Sequence, residues 1–91
     1  MTRQEQQVVG FPNPFTEKIT FSFTLPQGQA VVVKVYDRWG RELALLYQGE
    51  VQAHKPYRVE WRPAKGQPAG LYIIRLQTPR QVSQHKILFA R

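Results

Sequence analysis

The chain has 91 residues, no cysteine and a formal net charge of +7, from 13 Lys and Arg against 6 Asp and Glu. That length suits one domain with one modest core, and the lack of cysteine excludes disulfides, thiolate metal sites and cysteine nucleophiles. The basic balance admits acidic partners such as nucleic acid, anionic lipid or lipopolysaccharide, but the charges are scattered as on an ordinary solvated surface, and no run reaches the block length of a nucleic-acid arm.

The N-terminus lacks the apolar core of a signal peptide. The longest apolar runs, such as Ala30-Val31-Val32-Val33, fall far short of the roughly 18 residues of a membrane span. If the chain is exported, its signal peptide is expected on upstream sequence. Residues Thr2 to Gln7 are polar and Gln-rich and read as a linker end or edge segment. Val8 and Val9 suit a short strand. We therefore expect a linker or edge segment over residues 1–10 and a folded domain over 11–91.

Ile19, Phe21, Phe23 and Leu25 alternate with Thr20, Ser22 and Thr24, the period of a half-buried strand. Val31 to Asp37 alternates again, with Val31, Val33 and Val35 inward. The segment Arg41 to Tyr47 is ambiguous. Leu43, Leu46 and Tyr47 fit a helical stripe, but two turns of helix are marginal alone and a strong turn precedes it, so a strand is expected. Tyr57, Val59 and Trp61 alternate with Arg58, Glu60 and Arg62; Tyr72, Ile74 and Leu76 alternate with Ile73 and Arg75. The last strand, Ser83 to Ala90, is weaker in pattern but rich in apolar residues. Leu25-Pro26-Gln27-Gly28, Asp37-Arg38-Trp39-Gly40 and Gln67-Pro68-Ala69-Gly70 share a type I turn pattern, with Gly fourth and Pro second or Asp first; Thr78-Pro79-Arg80-Gln81 carries the Pro alone. Six strands, or seven with Val8–Val9, at such spacing predict an all-β antiparallel sandwich.

Catalytic constellations are lacking. Ser22 and Ser83 are not in Gly-flanked elbows, Asp37 is accounted for by its turn, and His54 and His85 lie in unrelated settings. The acids are dispersed, and no glycine cluster resembles a phosphate loop. The chain is read as a non-enzyme with no cofactor, no catalytic residues and no metal site. Phe11, Phe15, Trp39 and Tyr47 could form a stacking platform, although most aromatics occupy inward positions that suit a core. Trp39 is the exception, because a turn gives it little core to enter. In Phe11-Pro12-Asn13-Pro14-Phe15 each Pro fixes its own φ and extends the residue before it. The segment is thus a stiff lead-in to a strand, suited only to a sheet edge because neither Pro offers an N–H.

Taken in order, these motifs resemble the type A C-terminal sorting domain of the type IX (Por) secretion system. That family opens on Pro-Asn-Pro after an aromatic, here Phe11-Pro12-Asn13-Pro14-Phe15. It continues with a Val-Tyr-Asp strand end, a turn, and Gly followed by a basic residue and Glu, here Lys34-Val35-Tyr36-Asp37-Arg38-Trp39-Gly40-Arg41-Glu42-Leu43. A Trp strand (Val59-Glu60-Trp61) and a Gly-x-Tyr strand (Pro68-Ala69-Gly70-Leu71-Tyr72-Ile73-Ile74-Arg75-Leu76) follow. It closes on Lys86-Ile87-Leu88-Phe89-Ala90-Arg91. The resemblance runs from Phe11 to Arg91; Trp39 and Ala90 depart from the usual residues.

The resemblance implies an immunoglobulin-like sandwich of about seven strands that carries a larger cargo through the periplasm and across the outer membrane to the cell surface or medium. The implied partners are the outer-membrane translocon and its shuttle components, a surface sortase that cuts within or upstream of Thr2 to Gly10, and anionic lipopolysaccharide joined to the cargo after cleavage. The implied recognition residues are Pro12, Asn13, Pro14, Asp37, Gly40, Gly70, Tyr72, Lys86 and Arg91. The last strand, with Lys86 and Arg91, is the expected contact, by edge pairing. A carbohydrate-binding or adhesive fibronectin-like module is the alternative, and three coplanar exposed aromatics would favour it. A nucleic-acid binder is a third reading, without the interleaved aromatic–basic motif such binders carry.

Overall fold

A computed structural model describes residues 7–91, so most of the expected linker, Thr2 to Gln6, lies outside the described residues. Seven strands follow one another: β1 (Gln7–Phe11), β2 (Ile19–Thr24), β3 (Gln29–Asp37), β4 (Glu42–Val51), β5 (Tyr57–Trp61), β6 (Gly70–Gln77) and β7 (Val82–Phe89). They form a sheet in the order β1-β2-β5 and a second in the order β4-β3-β6-β7. Every strand pair is antiparallel. Among the described residues no helix is long and apolar enough to cross a membrane.

The alternation seen in the sequence places the core. Ile19, Phe21 and Phe23 of β2 face Val31, Val33 and Val35 of β3, Ile74 and Leu76 of β6, and Ile87 and Phe89 of β7, all buried between the sheets. Each such side chain contributes about 1.5–3 kcal/mol by leaving water, which makes this inner layer the main source of stability.

β4 is the element with the least regular pattern. It pairs with β3 from Glu42 to Val51 but slips register twice, between Val33 and Lys34 and between Val35 and Tyr36. Extra residues at such bulges shift the phase of the pleat. Leu43 and Ala44, then Leu46 and Tyr47, are thereby half-buried in pairs. That spacing is what gave the segment its helical look in the sequence.

Only one of the three expected type I turns closes on itself: Gly40 N–H donates to Asp37 C=O at 3.0 Å. The Leu25 carbonyl instead accepts His54 N–H at 2.7 Å, tying the β2–β3 loop to the β4–β5 loop. In the β5–β6 connection the turn lies earlier than expected, where Gln67 N–H donates to Ala64 C=O at 3.0 Å across Lys65-Gly66. Gly66 there has a φ of 95°, which favours glycine.

β1 begins before the expected domain start at residue 11, pairing Gln7 to Phe11 with Thr24 to Thr20 of β2. The chain then crosses from the three-stranded sheet to the four-stranded one. Both the Phe11–Pro12 and Asn13–Pro14 peptides of the crossing are cis. At its far side Phe15 bridges Phe89 of β7 in parallel.

Candidate recognition site

The nine sequence-derived recognition residues fall into two clusters. Pro12, Asn13, Pro14 and Lys86 meet along the outer edge of β7. The backbone of β7 turns alternate residues toward β6 and away from it, and those turned away need partners. Two prolines beside that edge can donate no backbone N–H. The Asn13 side chain supplies both roles instead: its Nδ2 donates to Lys86 C=O at 3.3 Å, and its Oδ1 accepts Leu88 N–H at 2.9 Å. Phe15 completes the seam. Its N–H donates to Leu88 C=O at 2.9 Å, and its C=O accepts Ala90 N–H at 2.8 Å.

The Phe15 ring, 1 % exposed, stacks on Phe89 with centroids 5.3 Å apart and meets Trp61 edge-on at 6.0 Å. The motif from Pro12 to Phe15 therefore serves as a short surrogate strand that closes the C-terminal half of the β7 edge, so the edge pairing expected of the last strand is not open between Lys86 and Ala90, whose outward backbone groups are already bonded. Lys86 itself stands exposed on the outer face of the sheet, beside Ile73 of β6.

Asp37, Gly40, Gly70, Tyr72 and Arg91 gather instead at one end of the sandwich, where the β3–β4 turn meets the β5–β6 loop. Asp37 is buried but fully engaged. Oδ1 accepts the N–H groups of Trp39 and Arg41, both at 2.9 Å, and Oδ2 accepts Arg41 Nε at 2.7 Å. Burial alone would push this carboxyl up. The Arg41 backbone amide, the Arg41 guanidinium and the Trp39 amide outweigh it and hold the pKa below the ordinary 3.8.

Gly40, at φ 85°, adopts a conformation that favours glycine. Gly70 does so at φ 137°, and a Cβ there would also lie 3.3 Å from the Arg38 guanidinium. Tyr72 is a corner tyrosine: its hydroxyl donates back to the Pro68 carbonyl, four residues upstream, as in immunoglobulin-like sandwiches. Burial raises its pKa, against the opposing pull of Arg38 and Arg91, so the proton needed for that bond is retained. Arg91 Nη2 donates to Gln67 C=O at 2.7 Å, while its guanidinium lies 5.7 Å from the Phe89 ring.

The rings weighed as a stacking platform are split. Phe15 is in the core and Tyr47 packs on Phe23 and Tyr57, whereas Phe11 and Trp39 are exposed. Ser83 and His85 do meet, at 3.1 Å, but Asp37 is committed to its own turn. His85 lies against the Phe21 ring at 5.5 Å, and burial lowers its pKa. Among the described residues no group of His, Cys, Asp and Glu could hold a metal ion. The sequence reading missed the Asn13 bridge to β7; the signal for it was an amide flanked by two prolines next to an edge.

The family model described as the secretion system C-terminal sorting domain matches residues 10–90. The chain belongs to that family. As a type IX secretion sorting domain it is the signal for export across the outer membrane toward the cell surface, and it interacts with the secretion system. No curated protein matches the chain. Among solved structures, the sorting domain resembles part of the crystal structure of dimeric latent PorU from Porphyromonas gingivalis, with 22% identity and a TM-score of 0.69. The match covers 99% of this chain and 10% of that one, so the sorting domain spans a small part of that protein. The likeness supports the immunoglobulin-like sandwich that the family resemblance implied.

Proposed function

We propose that this domain, without catalysis of its own, carries a larger upstream cargo through the periplasm to the outer-membrane translocon and its shuttle components, and is then removed by a surface sortase. The observation that carries this reading is the seam between Pro12–Phe15 and β7. It joins the opening and closing motifs of the family into one rigid edge, presenting Lys86 and the end of β7 on a fixed frame. Rigid presentation lowers the ordering cost of binding.

The sortase cut is expected on the N-terminal side of Gln7. A protease requires an accessible extended segment, and β1 is held against β2 from Gln7 to Phe11. Anionic lipopolysaccharide would then join the cargo and not this domain.

A fusion of the chain to the C-terminus of a fluorescent protein bearing an inner-membrane signal peptide tests the proposal. Surface or medium delivery in a host with an active type IX system, and retention in a translocon-null strain, is the expected result. Retention of a folded fusion in both strains would overturn it. Lys86→Glu is the sharper variant, because this exposed side chain can be reversed in charge without opening the core. Deleting 86–91 removes Ile87 and Phe89 from the core and requires circular dichroism as a folding control. Undiminished delivery of Lys86→Glu would remove that side chain from the recognition surface.

A further inference from the structure

Trp39 and Arg38 are not used by the sorting seam. Trp39 is 67% exposed at the tip of the β3–β4 turn, where it covers no core. Two guanidinium groups bracket its environment: Arg38 lies 5.0 Å and Arg41 5.4 Å from the ring centroid. Beside it is a cleft lined by both arginines, Trp39, Pro68, Ala69 and Leu71. Arg91 is anchored at the same loop through Gln67.

The charge at this end is unbalanced. Asp37 is the sole acid in the cleft lining, and three donors already occupy its oxygens. Of its guanidinium, Arg41 gives Asp37 only Nε, and its side chain is largely exposed. Arg38 has no hydrogen-bond or ion-pair partner among the described residues. A guanidinium held beside an indole, with its planar fork open, is suited to a carboxylate. Tryptophan and arginine are also the side chains most enriched where interfaces concentrate their energy.

Size decides between kinds of ligand. The cleft measures about 50 Å³, against the roughly 300 Å³ or more typical of small-molecule pockets. A cleft that small suits one protruding side chain. We propose that the Arg38–Trp39–Arg41 end of the domain docks an acidic protein segment, with a carboxylate on Arg38 and an adjacent apolar side chain against Trp39, Pro68 and Leu71. This goes beyond the sorting function, and its test in vitro succeeds or fails whatever the export assay gives.

The test is a titration of the ¹⁵N-labelled chain with a capped hexapeptide alternating glutamate and leucine, beside its glutamine counterpart. The Trp39 indole N–H is the reporter, with buried Trp61 as the internal control. The expected result is a shift confined to Trp39, its turn and the Pro68–Leu71 loop, absent with the glutamine peptide. Losing one charge-assisted pair should weaken binding by about tenfold or more in Arg38→Gln. Arg80→Gln, in the β6–β7 turn at the opposite end, should bind as the parent does. Equal shifts with the glutamine peptide, or equal weakening in Arg80→Gln, would overturn the proposal, the latter by marking diffuse attraction to a basic surface. Binding of an oligogalacturonate at Trp39 without the peptide would overturn it in favour of an acidic glycan.

Discussion

The β7 seam and the Arg38–Trp39 end both contain motif residues, yet they treat polar groups in opposite ways. At the seam the Asn13 amide and the Phe15 backbone are consumed internally, each facing a defined partner on β7. At the sandwich end the carboxylate of Asp37 is likewise consumed, by Arg41 among others, but Arg38 and the Trp39 indole beside it are left facing solvent. The lesson is that a motif residue can be a recognition element or the frame that holds one. Hydrogen-bond accounting separates the two.

The largest expected effect tests the frame. Phe15→Ala removes a fully buried ring from between Phe89 and Trp61 and should cost about 3–5 kcal/mol, measured by urea unfolding. A loss below about 1 kcal/mol would mean that the crossing is not a structural clamp. Asn13→Ala deletes both side-chain bonds to β7 and should cost about 1–2 kcal/mol, with amide exchange accelerated at Leu88 before the rest of the sheet.

Asp37→Asn probes the other region through pH. The folded carboxyl titrates below its ordinary value of 3.8. Its contribution is therefore complete above pH 3.8 and is lost as the pH falls through the lower folded value. Thermal melts across that acid range should lose slope in Asp37→Asn; an unchanged profile would show that other carboxylates set it. Tyr72→Phe should cost about 1 kcal/mol by releasing the Pro68 carbonyl. The smallest effect is expected where side chains are left over: Trp39→Ala should change stability by no more than about 0.5 kcal/mol. A greater loss would make Trp39 part of the frame and weaken its assignment as a docking residue.

Much of the frame was legible in the chain. β2, β3 and β6 announce themselves because one of their faces is buried without interruption, so Ile19-Phe21-Phe23, Val31-Val33-Val35 and Tyr72-Ile74-Leu76 keep strict alternation. β4 does not, because its bulges reset the phase between Leu43 and Tyr47. The β5–β6 turn was misplaced because Pro68 suggested a local turn, while Tyr72 in fact uses the Pro68 carbonyl and Gly66 makes the bend.

The motif Pro12-Asn13-Pro14 was visible, but its partner was not. Asn13 bonds β7 across 73 and 75 positions of sequence, and a side-chain amide standing in for backbone leaves no periodic trace. Both clusters of candidate residues were named from family motifs; their division into two places follows from topology alone.

The parallel bridge of Phe15 to Phe89 also has a mechanical consequence. If the chain is pulled from the residues before β1 while the end of β7 is held, the two segments are drawn past each other along their lengths. The Phe15 and Asn13 bonds to β7 run across that direction, so the load falls on them in shear and together, rather than on one bond at a time as in peeling. The same short crossing that closes the sheet edge thus sets how the domain resists tension between its two ends.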